Sequence, residues 1–75
     1  MEMEIIKKLD ILLNHWMEHN REHAAEYEKW ALKAKEEGLT DISQAIQTAG
    51  EVIQKSNDNL LNALNLLKKH TQGNE

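Results

Sequence analysis

The sequence predicts an all-α fold, an antiparallel two-helix hairpin that dimerises into a four-helix bundle. Three observations carry this. The 75 residues include no Pro and only three Gly, at 38, 50 and 73, in a background of good helix formers. Apolar residues recur at alternating spacings of three and four on both sides of Gly38, the mark of a helical seam. The chain is also too short to bury a comfortable core alone and has no Cys to staple one.

The first helix is predicted over about 3–37. Its seam runs Ile6, Leu9, Leu13, Trp16, Asn20, His23, Tyr27, Trp30 and Ala34, with two polar residues in the middle. Met17, Ala24 and Ala31 widen one flank, and Ile5, Leu12, His19 and Glu26 line the other. A stripe this broad suits a bundle better than a bare two-stranded coil.

Gly38 follows Lys35-Glu36-Glu37, where a left-handed residue can end a helix without a Cβ penalty. The turn is placed at 38–40, with Thr40 or Asp41 as N-cap of the next helix. So short a connection brings that helix back antiparallel.

The second helix is predicted over about 41–70, with the seam Ile42, Ile46, Ala49, Ile53, Ser56, Leu60, Ala63 and Leu67. Gly50 lies off this seam. Ser56-Asn57-Asp58-Asn59 has a turn-like composition, which leaves a monomeric three-helix arrangement as the alternative. The seam passes through it in phase, which favours one helix. Residues 71–75 are expected to fray.

Folding the hairpin over the turn sets Trp30 opposite Ala49, Tyr27 opposite Val52 and Ile53, and Trp16 opposite Ala63. Large thus meets small at both Trp levels. Asn20 falls opposite Asn59, and His23 opposite Ser56, so both helices turn polar at one level. Two helices alone leave half of each stripe wet, which predicts the homodimer.

The net charge of −4 is spread along the chain without a basic face, which argues against nucleic acid. Apolar runs are too short for a membrane span, and no signal-peptide pattern opens the chain. A cytoplasmic protein is the default expectation. No Gly-rich phosphate loop, nucleophile–base pair or paired Glu-x-x-His motif is present, so an enzyme is not expected.

The chemistry concentrates in His15, His19 and His23, at i, i+4 and i+8. Imidazoles one turn apart can chelate a single Zn, Ni, Co or Cu ion. His15 and His23 are separated by ~12 Å of helix axis, so His19 with His23 is the better pair. Glu22 or Glu26, or a second copy of the chain, would supply further ligands. Set against this, His15 reads as a solvated residue, and His19 and His23 as hydrogen-bonded flank and core residues. His19-Asn20-Arg21-Glu22-His23 matches H-x-x-E-H, but the chain has no room for a protease cleft. Trp16, Tyr27 and Trp30 read as core, and Lys68-Lys69-His70 as complement to a helix dipole.

The block His15-Trp16-x-x-His19-Asn20-x-x-His23-Ala24-x-x-Tyr27-x-x-Trp30, followed by a Gly turn and a second amphipathic helix, resembles a family of small archaeal and bacterial helical domains of unassigned function. Such domains are sometimes appended to small nickel-binding proteins linked to carbon monoxide dehydrogenase maturation. The resemblance implies a metal role for His15, His19 and His23 only. The β-rich nickel-binding module of those proteins is not expected within these 75 residues, a departure from the resemblance.

Two functional expectations follow. One is a small metal-handling or metal-sensing accessory holding a divalent transition metal (Ni, Zn or Co) through His15, His19 and His23. The other is a structural or protein-interaction module whose histidines are purely structural.

Overall fold

A computed structural model describes residues 2–72, as helix α1 (Glu2–Glu36), a three-residue turn and helix α2 (Thr40–Gln72). The two helices pack antiparallel along their length, in a rod of 58 × 15 × 12 Å. Of the tail expected at 71–75, residues 73–75 lie outside the described residues. Helix α2 passes unbroken through Ser56–Asn59, so the three-helix alternative does not apply.

The chain reverses at Gly38, whose φ is +81°. The amide of Leu39 donates to Ala34 O at 2.9 Å and that of Gly38 to Lys35 O at 3.0 Å. This pair of bonds is the Schellman arrangement, which satisfies carbonyls left open at a helix end. Lys33 and Lys35 in the last turn of α1 complement its dipole. Helix α2 opens differently from the expectation of a Thr40 or Asp41 cap. The carbonyl of Leu39 accepts from Ser43 N at 2.9 Å, so Leu39 is the capping position. Asp41 lies inside the first turn, where its carboxylate accepts from Ile42 N at 2.8 Å.

The line of contact between the helices departs from the expected seam at alternate positions. Buried on α1 are Leu13, Met17, Ala24 and Ala31; on α2, Ser43, Gly50 and Leu64. Trp16, His23 and Trp30, assigned to the seam, are exposed, as are Ile42 and Ala49. The flank residues Met17, Ala24 and Ala31 take their place. The reason is helix separation. Near the turn the backbones meet so closely that the Ser43 hydroxyl donates directly to Ala31 O at 2.6 Å. A Cβ on Gly50 would lie 3.4 Å from Tyr27 Cβ and 3.7 Å from Ala24 O. Only small residues fit such a line, and indoles are turned outward.

Farther from the turn the contact line becomes aliphatic. Leu13, Met17 and Leu64 form the buried cluster there, with Leu9, Leu60, Ala63 and Leu67 packed against it. Between the two zones lies a polar tier with members other than those expected. Asn20 Nδ2 donates to Ser56 Oγ at 3.1 Å and Asn57 Oδ1 at 2.9 Å, while Asn57 Nδ2 donates to Met17 O at 3.0 Å. Asn20 thus pairs with Ser56 and Asn57 rather than Asn59, and Tyr27 comes level with Gly50 rather than Val52 and Ile53. The turn occupies 37–39 instead of 38–40, and each residue removed from the turn's centre displaces the antiparallel pairing by two.

Candidate functional site

Because small residues hold the contact line, the hairpin has two unlike faces. Groove linings identify them. On one side, Tyr27 and Trp30 of α1 and Ile46 and Ala49 of α2 enclose a wholly apolar groove of about 290 Å³. On the other, Glu28, Gln47, Glu51 and Gln54 surround Ala24 and Gly50 in a polar groove of about 200 Å³. The sevenfold spacing Trp16, His23, Trp30 on α1 and Ile42, Ala49, Ser56, Ala63 on α2 runs along the apolar side.

Trp30 and Trp16 are the largest groups on that face, 50% and 42% exposed. The indole of Trp30 is held at its Nε1 edge by Glu26 and over its ring by Lys33. Its Nε1–H donates to Glu26 Oε1 at 3.0 Å, and Lys33 Nζ lies 4.7 Å from the ring centroid. Cations at such a distance are attracted by the ring quadrupole. An exposed indole held in one orientation is a preformed contact element, since little rotamer freedom remains to be lost on binding.

The three histidines climb the flank of the same face, one turn apart. His15 and His19 stack with ring centroids 5.9 Å apart, and His19 meets His23 edge-on at 4.5 Å. His23 continues the ladder to Tyr27 at 6.3 Å. All three imidazoles are exposed. The expectation that His23 sits in the seam, opposite Ser56, is thus corrected: Ala24 turns inward in its place. Two nitrogens each ~2 Å from one ion set ring centroids about 4–5.5 Å apart, so the His19–His23 spacing is within chelating range. Among the described residues no third His, Cys, Asp or Glu converges on that pair.

The residues that reading by hydrophobicity passed over are Ser43 and Gly50. A signal for them exists, since 43, 50, 57 and 64 form a heptad row of their own. Three of its four members are small or polar, so larger neighbours outweighed them.

Among the described residues no helix is long and apolar enough to cross a membrane. Neither the curated proteins nor the solved structures compared with the chain include a match. A family described only as a domain of unknown function, DUF8180, matches residues 9–67, which span both helices, the turn, the histidine ladder and the apolar face. The chain belongs to that family of small domains of unassigned function.

Proposed function

We propose that this chain is a non-enzymatic interaction module that works by docking a protein surface onto the face carrying Trp16, Tyr27 and Trp30. The observation that supports this reading is the Trp30 groove, an apolar concavity beside a half-exposed indole that Glu26 and Lys33 hold in place. Exposed apolar patches rimmed by polar groups mark interaction sites, and orientated aromatic anchors dominate their energetics. A photoactivatable cross-linker at Ala49, on this face, tests it against one at Gln47, on the polar face. In living cells Ala49 should trap protein several-fold more efficiently; equal yields from the two positions would remove the reading.

A second reading, metal handling through His15, His19 and His23, is supported by the 4.5 Å approach of the His19 and His23 rings. Such a pair would hold Ni, Zn or Co by two nitrogens and leave the other coordination positions to water or a partner. Binding would be lost in acid, since imidazolium cannot ligate. Calorimetric titration of Ni, Zn and Co into the wild type and a His19→Ala/His23→Ala variant decides this. Heat present only in the wild type supports the site, and negligible heat in both removes it.

A further inference from the structure

We infer that the occupant of the apolar face is a second copy of this chain, packed face to face with both turns at the same end of a four-helix bundle. The inference rests on the docking role proposed above and specifies the partner.

Exposed area is the first ground. The hairpin exposes 6123 Å² at 8.7 kDa, whereas a folded monomer of that mass exposes about 4,700 Å². The excess of roughly 1,400 Å² exceeds the ~800 Å² per partner that a stable interface hides. A face as long and wide as this rod, 58 by 15 Å, is sufficient to hide that much.

The second ground is self-complementarity. Along the apolar face α1 carries the large groups Leu12, Trp16 and Trp30, while α2 carries Ile42 and Ile46 near the turn and the small residues Ala45, Ala49, Ser56 and Ala63 at the levels of the two Trp and between them. Within one hairpin these rows lie side by side and leave the groove between them unfilled. A twofold axis parallel to the helices sets α1 of each copy on α2 of the other, with levels unchanged. Trp30 then lies over the step between the partner's Ala45 and the partner's Ala49, and Trp16 reaches the turn of the partner's Ala63. Every neighbouring helix pair is antiparallel, and the interface is isologous, as a closed dimer requires. The large-on-small pairing that the sequence displays is thereby used between copies rather than within one.

Charge is the third ground. Two copies of a chain with net charge −4 repel weakly at long range, and a contact without like charges adds no close repulsion or desolvation cost to that. The rows just named contain no charged residue. Beside them, Glu26 accepts from Trp30 Nε1 and Lys33 Nζ lies over the Trp30 ring, two opposite charges that offset one another. The heptad position between the two Trp levels is His23, which comes opposite the turn of the partner's Ser56 and keeps the polar tier at one height across the bundle.

The alternative dimer has its twofold axis perpendicular to the helices and puts the turns at opposite ends, with Trp rows facing Trp rows. Because the chain has no Cys, a spin label at Glu37→Cys, on the exposed turn, is site-specific and touches neither face. Sedimentation equilibrium should show a dimer. Dipolar distances between labels should then fall within about two helix diameters, ~20 Å. Label separations approaching the 58 Å rod length would overturn the same-end arrangement. A monomer in sedimentation would overturn the second copy as occupant, while the Ala49 cross-linking result would still stand for a different protein. Trp16→Glu/Trp30→Glu should raise the dimer dissociation constant at least a hundredfold, and an unchanged constant would also overturn the proposal.

Discussion

The hydroxyl of Ser43 donates to the carbonyl oxygen of Ala31 across 2.6 Å, linking the first turn of α2 to the last turns of α1. Among the described residues Ser43 is the polar one that is buried, 5% exposed, and its bond is possible only where two helix backbones come unusually close. That closeness determines what the rest of the molecule can bury.

Substitution at Ser43 should therefore respond to size more than to polarity. Ser43→Ala loses a bond worth about 1 kcal/mol and recovers about 0.5 kcal/mol of helix propensity. A drop of only a few degrees in melting temperature is expected. Ser43→Leu must place four carbons against the Ala31 backbone and should cost about 1–3 kcal/mol by overpacking. Equal melting temperatures for the two variants would contradict the close approach.

Gly50 offers the opposite sign. A Cβ there meets Tyr27 Cβ at 3.4 Å, an ordinary contact, so Gly50→Ala should stabilise by about 0.5–1 kcal/mol through propensity and reduced unfolded-state entropy. Gly50→Leu should separate the helices and destabilise. A chemical denaturation series reads both, and a loss of stability in the Ala variant would show that the contact tolerates no side chain.

The polar tier should behave as one coupled unit. Asn20→Leu strands Asn57 Oδ1, while the Ser56 hydroxyl keeps its bond to Ile53 O, at a cost of about 1–3 kcal/mol. Adding Asn57→Leu should recover part of that loss, because both ends of the bond are then apolar. A double-mutant cycle should give a coupling of at least ~0.5 kcal/mol; strictly additive losses would mean that the 2.9 Å bond contributes nothing.

At the turn, Gly38→Ala keeps open space around the new methyl but forces a φ of +81° on a residue with a Cβ. The expected loss is about 1 kcal/mol or slightly more, visible as a lower melting temperature with unchanged helical circular dichroism at 25 °C. Gly38→Asn should lose less, since Asn enters the left-handed region more readily.

Two helices, the reversal at Gly38 and the antiparallel pairing were all legible from breakers, caps and spacing, because these are local properties of the chain. The placement of His15, His19 and His23 one turn apart was legible for the same reason. Their exposure was not. A seam that alternates threes and fours can run through Trp16, His23 and Trp30 or, one residue along, through Met17, Ala24 and Ala31, and both rows are present in the sequence.

Choosing between those rows requires the distance between the helices, which is a property of the pair and of neither strand of sequence alone. Ser43, Gly50, Ala24 and Ala31 permit close approach, so the backbones close on them and the two indoles turn outward. Local chemistry determined the elements and their order; the tertiary structure decided which stripe became core and which became the face left for a partner.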